Sequence, residues 1–341
     1  MRIAQVAPLY ESVPPVLYGG TERVVSYLTE ALVARGHDVT LFASGDSVTA
    51  ARLEPMWPKA LRLHYGDLNA TVPTLRMIEE VRRRADTFDV IHFHLDFFPF
   101  STFSRQSTPY VTTLHGPLSL PEQDILSDTF GSMPIVSISH AQRVGKDAAN
   151  WVGNVYHGLP VHLHTPREIE RSYLAFLGRI TPTKGVDKAI RIAEQCNVPL
   201  KIAAKIDSLD ESYFEHQIRP LLNSPLVEFI GEIDEQDKTS FLSGARALLF
   251  PIDWPEPFGL VMIEAMACGT PVIAFRRGSV PEVIEEGVTG FVVADEDEAA
   301  AAVQYVDHLS HPRIRKAFER RFTSDRMADD YLRIYQSLMD R

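Results

Sequence analysis

Short apolar runs alternate with amphipathic stretches along this sequence, and the alternating series occurs twice. In the first series, Arg2–Ala7 is predicted as a strand, Thr21–Arg35 as a helix and Asp38–Ala43 as a second strand. Thr21 is expected to cap this helix, and Gly36 stands where a glycine commonly follows a helix. Such an alternation is typical of a parallel, doubly wound α/β sheet.

The pattern continues and then starts again after a break. Further strands are predicted at Val90–Phe93, Tyr110–Leu114 and Ile135–Ser137, with an amphipathic segment at Thr74–Arg84. The second series contains a predicted helix and five predicted strands: Val186–Cys196 for the helix, and Tyr173–Leu177, Leu200–Ala204, Val227–Ile230, Ala247–Phe250 and Pro271–Phe275 for the strands. Gly158–Arg171 has no periodicity and is the predicted linker.

Two series in 341 residues fit two domains of about 150 residues each. We expect two Rossmann-like doubly wound parallel-sheet domains that face a cleft, with residues 1–160 forming the N-terminal, acceptor-side domain and 161–311 the C-terminal, nucleotide-sugar domain. Residues 312–341 are predicted as a helical segment that can pack against either domain. In open α/β sheets, ligands bind at the carboxyl ends of the strands, so the cleft is the expected site.

Charge and cysteine content exclude several classes of protein. A formal net charge of −11 argues against broad nucleic-acid binding, which needs a basic face. Cys196 and Cys268 are isolated, so neither a disulfide framework nor a cysteine-based zinc site is expected. No apolar run approaches the roughly 18 residues of a membrane-spanning helix, and the N-terminus lacks a signal-peptide apolar region. A cytoplasmic location is therefore expected.

The segment 247–269 is the one most suggestive of chemistry. A buried strand is followed by three prolines and by an apolar helix that is predicted to begin near Phe258. Glu256 stands just before this helix and Glu264 stands in its middle, where an unpaired carboxylate would be costly. The amides of residues 258–260 would favour a bound anion. A structural alternative is that Glu256 caps the helix and Glu264 pairs with an arginine.

A second strand–turn–helix carries two cations. Arg179 and Lys184 flank the turn that follows the strand Tyr173–Leu177, at the same edge of the predicted sheet. Arginine offers a two-pronged donor and lysine a point charge, a combination suited to a diphosphate. The alternative is that both are solvated surface cations. Taken together with Glu264 as a ligand for ribose hydroxyls, these groups predict a nucleotide-diphosphate site.

These residues also carry a resemblance to a known family. EPFGLVMIE, with seven residues between its glutamates, resembles the signature of the retaining glycosyltransferases of family four, which have the GT-B fold. GRITPTKG resembles that family's phosphate-clamp loop, and AMACGTPVIAFRRGSVPEVIEEGVTGFVV resembles the stretch after its second glutamate. YGGTERVVSYLTEALVARGHDVTLFA resembles its N-terminal glycine loop, first helix and second strand. The resemblance extends from Arg2 to about Ala294.

The resemblance implies a role for each matching residue. Glu256 would hold hydroxyls of the donor sugar, and Glu264 the ribose hydroxyls. Arg179 and Lys184 would neutralise the leaving diphosphate, and His115 in TTLHG would lie near the reaction centre. The glycines and amides expected to complete the phosphate cradle are Gly19, Gly20, Phe258, Gly259 and Leu260.

The activity that the resemblance implies is transfer of a hexose, with glucose favoured, from a UDP-sugar to a hydroxyl acceptor with retention of configuration. No metal and no other cofactor is expected, because cations and a helix end neutralise the leaving group. The acceptor is a diacylglycerol-type lipid or a small hydroxyl compound, and a lipid would imply peripheral contact of the N-terminal domain with the inner membrane face. The alternatives are a phosphorylase-like enzyme on the same fold and a non-catalytic nucleotide-sugar-binding protein.

Three positions depart from the family pattern. His157 stands in VYHGLP where the family usually has an asparagine before the glycine. Lys205 ends the run KIAAK where small residues are usual, and residues 276–279 read RRGS where a glycine pair is common.

Two other motifs admit a functional and a structural interpretation. His92–Asp96 reads HFHLD, a spacing found among metal ligands of binuclear metallohydrolases, but Phe97 stands where those sites have a histidine, so the favoured interpretation is strand-end residues that line the cleft. The phenylalanines at positions 97, 98, 100 and 103 are expected to pack under a loop, or else to form an acceptor pocket or membrane-docking loop. Arg82–Arg84 fits a solvated helix face or contact with anionic lipid.

Overall fold

The computed structural model describes residues 1–17, 19–64, 69–119, 124 and 128–340. The chain divides into two compact units. The first unit comprises Met1–Gly158 together with Ser324–Arg341, and the second comprises Leu159–Thr323. Each unit is an α/β fold built on one fully parallel sheet, of seven strands in the first unit and six in the second.

The sheet of the first unit has the order β3-β2-β1-β4-β5-β6-β7. Its strands are β1 (Arg2–Val6), β2 (Asp38–Ser44), β3 (Arg52–Trp57), β4 (Val90–Phe93), β5 (Tyr110–Thr113), β6 (Ile135–Ser137) and β7 (Trp151–Asn154). The helices described in this unit are α1 (Gly20–Ala34), α2 (Leu61–His64), α3 (Thr71–Arg83), α4 (Phe100–Phe103) and, from the end of the chain, α12 (Ser324–Met339). The order reverses beside β1, the arrangement that places ligand sites at the carboxyl ends of the central strands.

The sheet of the second unit has the order β10-β9-β8-β11-β12-β13. Its strands are β8 (Tyr173–Arg179), β9 (Leu200–Lys205), β10 (Val227–Gly231), β11 (Ala245–Phe250), β12 (Val272–Phe275) and β13 (Gly290–Val293). Its helices are α5 (Val186–Cys196), α6 (Glu211–Tyr213), α7 (Glu235–Ser243), α8 (Leu260–Ala267), α9 (Val280–Val283), α10 (Glu296–Val303) and α11 (His311–Arg321). Most of β11 and the segment 174–176 of β8 consist of buried apolar residues, as expected of strands covered on both faces.

Most predicted elements are found within one or two residues of their expected bounds, and Val186–Cys196 is found without a shift. Three strands were missed, namely β3, β7 and β13. The prediction that Thr21 caps α1 is wrong. The helix begins at Gly20, and Gly19 is its N-cap, because Gly19 adopts an extended backbone that ends the preceding loop.

The C-terminal segment 312–341 is divided between the units rather than forming one element. Helix α11 remains with the second unit, where the guanidinium of Arg315 donates to the carbonyls of Val161, His164 and Ala267 at 2.6–2.7 Å. Helix α12 packs against α1 in the first unit, where Arg35 pairs with Asp325 and Asp329, each at 2.8 Å. Each half of the segment thus has its own polar anchor.

Gly290 provides a direct test of the packing at the edge of the second sheet. A Cβ atom at this position would stand 1.9 Å from the carbonyl oxygen of Val272, which the neighbouring strand holds in place. We therefore expect Gly290→Ala to lower the free energy of unfolding by about 1–3 kcal/mol, the usual effect of overpacking. Gly178→Ala in β8 is the matched control, because a Cβ there meets no described atom within 4 Å. Calorimetric unfolding of both variants is the measurement, and equal melting temperatures would contradict this packing.

Candidate active site

The candidate site of the second unit lies where two neighbouring parallel strands end. β8 ends at Arg179 and leads through the turn Pro182–Lys184 into α5, whereas β11 ends at Phe250 and leads through a proline-rich loop into α8. Because β8 and β11 pair in parallel, their following loops meet at one edge of the sheet. The amide of Asp253 donates to the carbonyl of Thr183 at 2.9 Å, which joins the two loops directly.

Gly185 allows this close approach of the two loops. Its φ is +71°, and a Cβ atom would stand 2.2 Å from the carbonyl oxygen of Pro251. Only glycine satisfies both conditions without displacing the backbone. The KG dipeptide of GRITPTKG therefore has a physical cause, since the glycine holds Lys184 against the loop that carries Glu256.

Lys184 and Glu256 form an ion pair at the centre of this edge. The indole Nε1 of Trp254 donates to the same carboxylate at 2.9 Å, and the Lys184 ammonium lies 4.9 Å from the Trp254 ring centroid. The lysine side chain is 20% exposed and the glutamate side chain 10%. The two residues that the sequence assigns to phosphate and sugar therefore neutralise each other here.

A second loop supports the backbone of Glu256. Gly278 in the RRGS segment has a φ of +51°, and a Cβ there would stand 2.3 Å from the carbonyl oxygen of Glu256. The amide of Ser279 donates to that carbonyl at 3.0 Å, and the Ser279 hydroxyl donates to the carbonyl of Phe258 at 2.8 Å. Of the glycine pair that is common at this segment in the family, one glycine is present as Gly278, where a Cβ atom would collide with the backbone of Glu256.

The remaining cation of the predicted clamp is Arg179. Its Nε is buried and has no hydrogen-bond partner among the described residues, and the nearest carboxylate oxygen, on Asp210, is 3.8 Å away. Lys205 is the register partner of Arg179 on β9, so a third cation stands at the same sheet edge. Sequence reasoning noted Lys205 only as a departure from the family pattern. Because Lys205 directly follows the predicted strand Leu200–Ala204, its position in the sequence could have identified it as a site residue.

Helix α8 begins two residues later than predicted. Its first residue is Leu260, and Gly259, with a φ of +80°, is the N-cap. Phe258 lies before the cap with its ring buried against Phe322, so its amide is not part of the first helical turn. The first-turn amides begin at Leu260, and Gly259 presents no side chain in front of them.

Glu264 lies in the buried part of α8 and pairs with a lysine rather than with an arginine. Its Oε1 accepts from the Lys238 ammonium at 2.9 Å, and Lys238 also lies 3.5 Å from Glu235. His164 contacts Glu235 at 2.9 Å. His164, Glu235 and Glu264 thus group within 4.8 Å of one another, a spacing compatible with metal ligation, and the Lys238 ammonium already supplies positive charge there.

In the first unit, His115 follows β5 and joins a buried network. His94 Nδ1 lies 2.8 Å from His115 Nε2, and His94 Nε2 lies 2.9 Å from Gln5 Oε1. Burial lowers the pKa of His115 to about 3 and holds that of His94 well below its usual value. Both rings are therefore neutral at physiological pH.

The metal interpretation of His92–Asp96 is not supported by this geometry. Both ring nitrogens of His92 are hydrogen-bonded, one to Tyr335 and one to Thr113, each at 2.7 Å. His94 likewise uses both nitrogens within the network. Neither imidazole retains a lone pair for a metal, so these histidines are structural.

The glycine loop of the first unit is closely packed around Gly19. A Cβ at Gly19 would stand 2.8 Å from Cβ of Pro15 and 3.2 Å from Cγ of Glu11. Gly20 opens α1. Tyr18, which begins the YGGTER motif, lies outside the described residues.

The other motifs have mainly structural roles. Phe100 and Phe103 are fully buried in the core of the first unit, whereas Phe98 is 39% exposed. Arg82 and Arg83 pair with Glu79 as solvated charges do, whereas Arg84 is partly buried, where it pairs with Glu54 and lies over the Phe42 ring. Within the part of the chain that the structure describes, no helix combines the length and apolar character needed to cross a bilayer.

The two α/β units on parallel sheets define the GT-B class of glycosyltransferases, and solved structures support this fold. The structure is similar to AviGT4, a glycosyltransferase involved in avilamycin A biosynthesis, with a TM-score of 0.75, 23% identity and coverage of 99% of this chain and 98% of that one. It is also similar to Anabaena HepE in complex with UDP-glucose, with a TM-score of 0.75, 18% identity and coverage of 100% of both chains.

Sequence comparison identifies the family. The family model described as "Glycosyltransferase Family 4" matches residues 18–175, and "Glycosyl transferases group 1" matches residues 165–322. Among curated relatives, a glycogen synthase of Mycobacterium tuberculosis is 29% identical, with 95% of this chain and 91% of that protein covered. The chain belongs to the family-four type of glycosyltransferases and is a transferase of this class.

The buried carboxylate of Glu22, in the first turn of α1, gives a pH-dependent prediction. Burial raises its pKa from 4.5 to about 7, with the charge of Glu11 adding to the shift and backbone hydrogen bonds opposing it. The folded state therefore holds this proton more tightly than the unfolded state, so stability falls as the pH rises from about 4.5 to about 7. We expect Glu22→Gln to remove this part of the pH dependence. Urea unfolding at pH 5 and pH 8 is the measurement, and identical pH profiles for both proteins would refute the assignment.

Proposed function

We propose that this glycosyltransferase transfers a hexose, with glucose favoured, from a UDP-sugar to a hydroxyl acceptor with retention of configuration. The donor diphosphate would bind at the carboxyl edge of the second unit's sheet, on Arg179, Lys184 and the start of α8. Glu264 would bind the ribose hydroxyls and Glu256 the sugar hydroxyls. Gly19, Gly20 and His115 of the first unit are proposed to contact the donor as the family resemblance implies.

This proposal rests on the hydrogen-bond and ion-pair partners of Arg179 and Lys184 at that edge. Arg179 has a buried Nε without a hydrogen-bond partner among the described residues, which an anion would satisfy. Lys184 is paired to Glu256, and a diphosphate with two negative charges offers it a stronger partner. Transfer of Lys184 from Glu256 to the diphosphate would release that carboxylate to accept hydrogen bonds from the sugar.

The comparisons support a nucleotide-sugar donor. HepE, whose fold is similar, has been solved with UDP and with UDP-glucose. A relative of similar length is a glycogen synthase. Glucose and UDP are therefore the first choices for a donor panel.

Retention would follow from chemistry on one face of the sugar. The leaving diphosphate, held by Arg179 and Lys184, would accept the proton of the attacking hydroxyl. Glu256 pairs with a lysine and a tryptophan, while Glu264 pairs with Lys238 on the interior side of α8. This arrangement differs from the acid and nucleophile pair of a retaining glycosidase, so we assign binding roles to both glutamates. Fixed cations and a helix end would stabilise the leaving group.

The acceptor is proposed to be either a diacylglycerol-type lipid or a small hydroxyl compound. Val72 and Leu75 are exposed apolar residues near the start of α3, and Arg82 and Arg83 are in its last turn, a combination compatible with peripheral contact at a lipid surface. Activity that requires vesicles would select the lipid. Equal activity on a soluble acceptor without vesicles would select the small compound.

Removing either member of the central ion pair is expected to reduce transfer strongly. Lys184→Ala and Glu256→Ala should each lower kcat/KM for the UDP-sugar at least about tenfold, because each removes a charge-assisted contact worth about 1.5–3 kcal/mol. Release of UDP measured against acceptor concentration gives the rate.

Lys188→Ala is the matched control for the lysine variant. Lys188 has the same 20% side-chain exposure as Lys184 and pairs at 3.0 Å with Asp253, so it carries equal charge without touching Glu256. We expect this variant to retain activity within about twofold. Near-normal turnover in Lys184→Ala, or equal loss in both variants, would refute the proposed site.

The same assay separates the alternative functions. A transferase releases UDP only when acceptor is present, apart from slow hydrolysis. A phosphorylase-like enzyme would instead form a sugar phosphate from inorganic phosphate, and a binding protein would retain UDP-glucose without turnover. Either of the last two outcomes would replace the proposed function.

A further inference from the structure

A chain of hydrogen bonds in the first unit connects the C-terminal helix α12 to His115. Tyr335 Oη accepts from Gln5 Nε2 at 3.0 Å, and Gln5 Oε1 lies 2.9 Å from His94 Nε2. His94 Nδ1 lies 2.8 Å from His115 Nε2. Gln5, His94 and Tyr335 are buried, so protein atoms rather than bulk water determine where the protons lie.

The direction of each bond follows from the orientation of the Gln5 amide. Its nitrogen donates to Tyr335, so its oxygen must accept from His94, which places the His94 proton on Nε2. A neutral imidazole carries one proton, so His94 Nδ1 is an acceptor. The proton between His94 and His115 then belongs to His115 Nε2.

The neighbouring groups favour a neutral network. Burial lowers the pKa of His92, His94 and His157 well below the usual histidine value, and that of His115 to about 3. His92 lies 4.0 Å from His94 between ring centroids, and His157 stacks on His115 at 5.3 Å. Arg326, the cation that acts on His157, further disfavours an additional positive charge. Each of these histidine rings is therefore neutral and carries one proton.

We propose that Gln5 and Tyr335 fix His115 in the tautomer that carries its proton on Nε2, leaving Nδ1 as a hydrogen-bond acceptor for a hydroxyl of donor or acceptor. This inference rests on the proposed function only for the identity of that hydroxyl. Gln5, His94 and Tyr335 are positioning residues, because they act through His115. Tyr335 is the anchor, since its hydroxyl accepts from Gln5 Nε2 and is also hydrogen-bonded to His92 Nδ1 at 2.7 Å.

The opposite orientation of the Gln5 amide would reverse every bond in the chain. His94 would then donate from Nδ1, and His115 would carry its proton on Nδ1. The two arrangements can therefore be distinguished by which ring nitrogen of His115 carries the proton.

The experiment is nitrogen NMR of the full-length protein labelled with ¹⁵N-histidine, with His115 assigned by comparison with a His115→Asn variant. The wild-type protein should show a protonated Nε2 and an unprotonated Nδ1 at His115. Tyr335→Phe removes the anchor and leaves Gln5 able to turn, so a mixture of both tautomers is expected. A wild-type His115 protonated on Nδ1, or a Tyr335→Phe spectrum with a single unchanged tautomer, would overturn the inference.

Tyr331→Phe is the matched control. Tyr331 lies on the same helix, is equally buried, and bonds through its hydroxyl to Thr113 at 2.9 Å, at the far end of the network from His115. It should leave the His115 tautomer unchanged. A shift of the tautomer in Tyr331→Phe as large as in Tyr335→Phe would show a general loss of packing and overturn the role of Tyr335.

Kinetics separate this inference from the proposed function. In Tyr335→Phe, kcat should fall in proportion to the fraction of His115 in the competent tautomer, about twofold for an equal mixture. If the tautomer changes as expected while kcat does not, the fixing role of Tyr335 stands and the proposed contact of His115 with a reacting sugar fails. If kcat falls while the tautomer is unchanged, the fixing role is wrong.

Discussion

The parallel pairing of β8 with β11 is the constraint on which the candidate site depends. It brings the loop after each strand to one sheet edge, although more than seventy residues separate Lys184 from Glu256 in sequence (|i−j| = 72). Gly185 and Gly278 then allow backbone segments to approach more closely than a Cβ would permit. The result is a lysine–carboxylate ion pair at the sheet edge, four residues before the start of α8, on backbone segments that are packed closely together.

This arrangement explains how an acidic chain can recognise an acidic ligand. The net charge of −11 excludes a broad basic field, but the local cations Arg179, Lys184 and Lys205 stand at one edge of the sheet. Before a ligand binds, Glu256 neutralises Lys184. In the proposed function, the ion pair holds the Lys184 side chain in position until the diphosphate replaces Glu256 as its partner.

Much of the fold could be predicted from the sequence because the central strands are continuous apolar runs between clear turn residues. The missed strands lack that signal. Arg52–Trp57 contains a proline and no buried residue, Trp151–Asn154 contains a glycine and is only half-buried, and Gly290–Val293 begins with a glycine and has two half-buried residues. Helix α8 begins later than predicted because the chain around Phe258 is apolar without being helical.

The partners of the site residues could be predicted less well than the residues themselves. The motifs singled out Glu256, Glu264, Arg179 and Lys184, but nothing near Glu264 in sequence indicated Lys238 as its partner. The contact of Gln5 with Tyr335 joins residues 330 positions apart, and only the return of α12 to the first unit brings them together. Such contacts depend on the assembled fold and leave no local pattern.

The most direct test of the proposed donor site is a crystal structure of the protein with UDP bound, in which the position of the Lys184 ammonium is measured. Lys184 is expected to leave Glu256 and contact a phosphate oxygen, with Arg179 on the same diphosphate. A structure in which UDP binds elsewhere while the Lys184–Glu256 pair stays intact would contradict the proposed site.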